Sequence, residues 1–134
     1  MSSIVRVTSP EVPEPPAGTS SNCLVVNGVA YFAGMGARAP DESGAGGDEY
    51  TQSVAIFAKL GHLLAAAGGS PADIVKVTIF VTDITQREKV WKARREFFGT
   101  GIFPGATLVQ VAALAEPTLK VEIEAVAHIG ASKH

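Results

Sequence analysis

The stretch Leu119-Lys120-Val121-Glu122-Ile123-Glu124-Ala125-Val126-Ala127-His128-Ile129 alternates along its whole length. In an extended chain Leu119, Val121, Ile123, Ala125 and Ala127 share one side, and Lys120, Glu122, Glu124, Val126 and His128 share the other. A strand with one apolar face needs a covering layer on that face only. This points to a two-layer domain and not to a sheet covered on both sides.

Working outward, residues 74–82 alternate in the same way, with Val75, Val77, Ile79 and Val81 opposite Lys76, Thr78, Phe80 and Thr82. A further strand is expected at residues 106–114. Two helices supply the covering layer. The first is expected over residues 48–67, where Tyr50, Val54, Phe57, Leu60, Gly61 and Leu64 recur at three and four residues and Gly68-Gly69 ends the pattern. The second ends near Phe98, and Thr85 with Glu88 has the spacing of a capping box. Near the N-terminus, residues 4–7 form a short strand stopped by Pro10, Pro13, Pro15 and Pro16. Residues 23–26 and 29–33 flank Asn27-Gly28, whose tolerance of positive φ suits a type I′ hairpin. That turn puts Asn22, Leu24, Val26, Val29, Tyr31 and Ala33 on one face and Cys23, Val25, Ala30 and Phe32 on the other. Residues 34–47 read as a long glycine-rich loop. The order is β-ββ-α-β-α-ββ: an α+β domain, residues 1–134 as one unit, with one six-stranded sheet and two helices on one face. Its other face is half apolar and bare, which calls for a second subunit.

Composition narrows the function. The chain has 134 residues and a formal net charge of −2, with 46% hydrophobic and 18% charged residues. Disorder is excluded, and no basic surplus points to a nucleic acid partner. One cysteine, Cys23, cannot staple the chain, so a reducing compartment, the cytoplasm, is expected. Its Val and Leu neighbours suit a buried inert thiol. No run of about eighteen apolar residues occurs, so no membrane span is expected, and the N-terminus shows no signal pattern. His62, His128 and His134 lack zinc spacing, so no metal site is expected. Gly34-Met35-Gly36 and Gly44-Ala45-Gly46-Gly47 are weak phosphate signals, the second being ringed by acids. No cofactor is expected.

Phe103-Pro104-Gly105-Ala106-Thr107-Leu108-Val109-Gln110-Val111 and Lys120-Val121-Glu122-Ile123-Glu124-Ala125-Val126-Ala127 resemble the C-terminal signature of the RidA/YjgF family. Supporting stretches are Ile74-Val75-Lys76-Val77-Thr78-Ile79-Phe80-Val81-Thr82-Asp83, Arg95-Glu96-Phe97-Phe98 and Tyr31-Phe32-Ala33-Gly34. The resemblance implies the family's chorismate mutase-like fold with a mixed sheet. It also implies a homotrimer with clefts between subunits and an enamine/imine deaminase activity that hydrolyses 2-iminoacids to 2-ketoacids and ammonia.

Position by position, the resemblance keeps Glu122 as the proton-relaying carboxylate and Gly34 at the strand end. The family's arginine for the substrate carboxylate falls on Ala106, and its cysteine two positions later falls on Leu108. Its serine falls on Ala33, its N-terminal tyrosine near Ser20 and its helix asparagine on Trp91. With Thr107 between Ala106 and Leu108, these residues outline a substrate site that is larger, more apolar and less cationic than the family's. A bidentate arginine is the best partner for a carboxylate, so its loss points to a neutral, bulky or aromatic substrate, on which Trp91 could stack. Arg38 is the first candidate to replace the missing charge.

Each reading has a plainer rival. Glu122 can be a solvated sheet residue, Glu124 a partner of Lys120, and Trp91 a half-buried packing residue. Three function classes remain: an imine or enamine hydrolase of altered substrate, a non-catalytic small-molecule binding or stress-related protein, and a ribonuclease. The last ranks lowest, for want of a basic stripe or paired histidines.

Overall fold

The computed structural model describes residues 3–37 and 46–133. Arg38, His134 and most of the glycine-rich loop lie outside the described residues. The elements follow the expected order: β1 (Val5–Val7), β2 (Cys23–Val26), β3 (Val29–Met35), α1 (Glu49–Ala66), β4 (Ile74–Val81), α2 (Arg87–Phe98), β5 (Gly105–Gln110) and β6 (Val121–His128). The strands form one mixed sheet in the order β1-β2-β3-β6-β4-β5. Neighbouring strands are antiparallel except β4 and β5, which are parallel and joined through α2. The last strand of the chain thus lies inside the sheet, between β3 and β4.

Local chemistry accounts for most boundaries. Asn27 and Gly28 both have positive φ, 49° and 77°, and the hairpin pairs Val26 with Val29 and Cys23 with Phe32, the register of a two-residue type I′ turn. Helix α1 starts where the Asp48 carboxylate accepts from Thr51 N at 2.9 Å. It ends where Gly68, with φ of 83°, lets Gly69 N return to Leu64 O at 2.8 Å. Against the sheet α1 buries Gln52, Ile56, Phe57, Leu60, Leu63 and Leu64. Between the helices Phe57 stacks on Phe97, with ring centroids 4.9 Å apart. On β6, Val121, Ile123, Ala125 and Ala127 are buried under the helices, as their alternation requires.

Four expectations need correction. Val54 is 42% exposed, because the buried stripe of α1 is centred on Ile56 and Leu63. Val75 is 46% exposed because β4 bulges there: Ile74 pairs with Ala127 and Lys76 with Val126, so Ile74 takes the core position. Thr85 caps nothing in α2. Its hydroxyl and backbone N both donate to Asp83 Oδ1, at 2.6 and 3.0 Å, closing a 3₁₀ turn (Ile84–Gln86) ahead of the helix. Gly34 and Met35 belong to β3 and not to a loop.

The buried polar groups are tie points. Gln52 donates to Thr118 O at 3.0 Å and accepts from Lys120 N at 2.9 Å, fastening the entry of β6 to α1. Asp73 accepts from Ser70 N, Gly130 N, Ser132 N and the Ser132 hydroxyl at 2.6–3.1 Å, which ties the start of β4 to the chain's last turn. Burial pushes its carboxyl up, but these four donors outweigh burial and hold its pKa at about 2.

Asp73→Ala should therefore lower unfolding stability by about 2–3 kcal/mol, because it strands buried N–H groups that served a charged acceptor. The folded pKa lies below the ordinary 3.8, so the carboxylate's contribution is complete above pH 4 and is lost as pH falls through about 2. In urea melts the gap between wild type and Asp73→Asn should narrow over that window. A gap constant from pH 6 to 2 would contradict the assignment.

Candidate functional site

Between Phe32 and Met35 the pairing of β3 with β6 slips by one residue, since Phe32 opposes Ala125 but Met35 opposes Ile123. The bulge lets both Phe32 and Met35 enter the core and turns Gly34 towards the side chain of Glu122. A methyl group on Gly34 would lie 2.9 Å from Glu122 Cδ and 3.0 Å from Oε2. Glycine is needed here for close approach and not for its φ. The Glu122 carboxylate is half-buried, and no described residue donates a hydrogen bond to it or pairs with it.

Glu122 opens into a cavity of about 240 Å³ floored by residues 34–36 and bounded by Leu119 and by residues 12–16. The proline-rich wall is pinned. Asn22, nearly buried, donates Nδ2 to Pro13 O at 2.9 Å and to Glu14 Oε2 at 3.3 Å, and Arg6 pairs with Glu14 at 2.6 Å. Lys59 of α1 also lines the cavity, and its Nζ donates to Gly36 O at 2.8 Å. Nothing in the composition flagged Lys59 or Asn22. Lys59 was within reach of sequence reasoning, being three residues from Ile56 and four from Leu63, a cation at the margin of the buried stripe.

The other expected site residues lie elsewhere in the chain. Ala33 is half-buried beside Gly34, with its N donating to Asn22 O at 2.9 Å. Ser20 is exposed, its carbonyl accepting from Arg6, and is not part of the cavity wall. Trp91 sits on α2 between the guanidinium groups of Arg87 and Arg94, 5.7 and 5.8 Å from its ring centre. Ala106 and Leu108 pair with Val77 and Ile79 and so face the helix side, where Leu108 packs against the core. Thr107 faces the bare side and accepts from Lys76 Nζ at 2.7 Å. Ala106 is two strands and three residues from Glu122, about 10 Å across and about 10 Å along. One chain therefore brings Gly34, Ala33 and Glu122 together and leaves Ser20, Trp91 and residues 106–108 apart from them.

Other reactive groups are accounted for. Burial pushes the Cys23 thiol up to about 11, which suits an inert core residue. Among the described residues no three His, Cys, Asp or Glu side chains gather as metal ligands, and no helix is long and apolar enough to cross a membrane.

Comparison with known proteins agrees with this fold. A family model described as Endoribonuclease L-PSP matches residues 12–129. The Homo sapiens protein named 2-iminobutanoate/2-iminopropanoate deaminase is 31% identical over 132 residues, which cover 95% of this chain and 93% of that one. Among solved structures, a protein of unknown function from Pseudomonas aeruginosa is 36% identical with a TM-score of 0.87, covering 97% of this chain and 95% of that one. A Rid-family protein of unknown function from Yersinia pestis is 28% identical with a TM-score of 0.85, covering 94% and 99%.

The contact between Gly34 and Glu122 makes a direct prediction. Gly34→Ala should cost less than about 1 kcal/mol in stability, because the colliding atoms are the far end of a flexible side chain. It should nevertheless swing the Glu122 carboxylate out of its position over Gly34. A crystal structure of the variant with Glu122 unmoved would contradict this.

Proposed function

The chain belongs to the endoribonuclease L-PSP family, which includes the RidA-type deaminases, and on that premise we propose that it hydrolyses an imine, formed from an enamine, to a carbonyl compound and ammonia. The observation that carries this reading is the half-buried Glu122 carboxylate, unpaired among the described residues and set against Gly34 at a cavity wide enough for a small molecule.

Glu122 takes a proton from a water as the water oxygen bonds to the imine carbon, and the C=N π electrons pass to nitrogen. The same carboxyl returns the proton to that nitrogen. The remaining hydroxyl proton then passes to the nitrogen as well, by way of Glu122, the C–N bond breaks, and ammonia leaves as the C=O forms. Glu122 is thus base and then acid, and no further reactant is needed.

The working unit in this proposal is a homotrimer. Tyr31 is 52% exposed on the bare face, in the same cross-strand row as Leu24 and Val126, and Phe80 and Val109 lie beside each other further along the sheet. Such a patch favours a subunit contact. A partner's β5 at the mouth of the cavity would also complete a site whose parts one chain keeps apart. In this reading Ala106 and Leu108 of that strand line the cleft, and neither carries a charge. The substrate group directed there is neutral, and bulky or aromatic. The place is the reducing cytoplasm, in line with the single unpaired Cys23.

A second reading, non-catalytic small-molecule binding, is favoured by one observation: Ala33, Ala106 and Leu108 bring no polar side chain with which to hold a water. Glu122→Gln separates the two. For a hydrolase it should lower turnover of aromatic imines about 100-fold or more while ligand affinity changes little. Absence of turnover in wild type across a panel of neutral, aromatic and carboxylated imines would favour binding alone. Light scattering should give about three times the 13.9 kDa of one chain. A mass near one chain would overturn the assembly.

A further inference from the structure

We infer that the flank of α2 formed by Arg87, Trp91 and Arg94, with the apolar groove at its end, is a docking surface for an acidic segment of another protein that carries an apolar anchor. The inference does not depend on what happens at Glu122. In a chain of net charge −2, α2 carries five cations, Arg87, Lys89, Lys92, Arg94 and Arg95, against two acids, Glu88 and Glu96. The side of the helix next to α1 is neutralised. Lys89 stands 3.6 Å from Asp48, Lys92 lies 4.7 Å over the Tyr50 ring, and the Tyr50 hydroxyl donates to Glu96. The other side is not. Arg87, Trp91, Arg94 and Phe98 follow at spacings of four, three and four, which is one face. Among the described residues no carboxylate pairs with Arg87, Arg94 or Arg95, and Glu88 is exposed without joining them. Burial and the like charge of Arg95 both lower the Arg94 pKa, as befits a cation held without an anion.

The geometry selects the partner. Trp91 holds the Arg87 and Arg94 guanidiniums 5.7 and 5.8 Å from its ring centre, so both forks are ordered before any ligand arrives. Arg87 spends one N–H on Ile84 O at 3.3 Å and keeps the rest. The two residues are about 10 Å apart along the helix, a distance that carboxylates about three residues apart in an extended segment span. Each fork takes a carboxylate bidentately. Phe98 ends the stripe, meets Phe103 at 6.1 Å and lines a groove of about 650 Å³ with Ile102, which is 96% exposed. That groove has room for an apolar side chain beside the charges. Trp and Arg around an apolar pocket are the composition of a protein interface hot spot. A nucleic acid fits less well. Its bases need a free ring face on which to stack, and two cations already lie over Trp91.

Trp91 is the only tryptophan in the chain, so its fluorescence reports on the stripe itself. The probes are a short synthetic peptide rich in Glu and ending in Leu-Leu, the same peptide with every Glu replaced by Gln, the Glu peptide ending in Ser-Ser, and a uridine oligonucleotide of equal charge. The Glu peptide should change the Trp91 emission on binding to the full chain. The Gln peptide and the Ser-Ser peptide should each bind about 10-fold or more weakly. Arg87→Gln with Arg94→Gln should weaken the Glu peptide by a similar factor, whereas Lys89→Gln with Lys92→Gln, on the α1 side, should change it less than about twofold. No emission change with the Glu peptide, or equal binding of the Glu and Gln peptides, would overturn the inference without any variant having to fold. Equal or tighter binding of the oligonucleotide would assign the stripe to nucleic acid instead. A lower mass by light scattering in the Arg87→Gln, Arg94→Gln protein would make the stripe a contact between copies of this chain, and would overturn the inference as well.

Discussion

The final strand of the chain takes its hydrogen bonds from both sides, antiparallel to β3 on one edge and to β4 on the other. Until β6 is in place, the N-terminal hairpin and the β4-α2-β5 unit have no sheet in common. The strand can hold this position because its alternation is strict. Val121, Ile123, Ala125 and Ala127 enter the core, and a slip of one residue would exchange them for two glutamates and a histidine. Gln52 adds a second lock on the register by closing on Thr118 O and Lys120 N with both ends of one buried amide. The same constraint fixes Glu122: with its neighbours on the strand buried, it has to project on the other side, next to whatever β3 presents there.

What β3 presents is set by its bulge. A regular strand would have put either Phe32 or Met35 on the bare face, and with them a side chain against Glu122. The extra residue brings both into the core and leaves Gly34, which has no side chain, at the contact. Packing and site geometry are therefore solved by one irregularity. The charge on Glu122 is kept out of the core yet lacks a partner among the described residues, a condition that a structural carboxylate would usually relieve by pairing. Asp73 shows the contrast within the same molecule. It is a fully buried carboxylate, but four donors surround it, and its chemistry is spent on holding two segments together.

The elements legible in the sequence were those specified by local rules. Asn27-Gly28 implied the hairpin register, Gly68-Gly69 the end of α1, and the alternation at residues 119–129 the two faces of β6. The misreadings lay where tertiary packing overrode a local rule. Val75 was assigned inward by strict alternation, but β4 bulges to place Ile74 in the core. Thr85 was read as a helix cap, but the Asp83 carboxylate is the stronger acceptor and captures it. Strand order was not derivable from period or turn signals, since nothing local says that the last strand inserts at the centre. Of the site, Glu122 and Gly34 came from family resemblance. Lys59 was passed over because a lysine on an amphipathic helix is ordinarily a solvated residue, and its burial depends on where the exit of β3 runs.

The cavity beside Glu122 is built from elements of one subunit. The edge strand β5 stands two strands away from Glu122, and within one chain it does not line this cavity. Lys59 stands on α1, the same helix that grips the entry of β6 through Gln52, two helical turns away. Its position relative to Glu122 is therefore set inside one subunit, by helix and strand packing, and does not depend on how subunits meet.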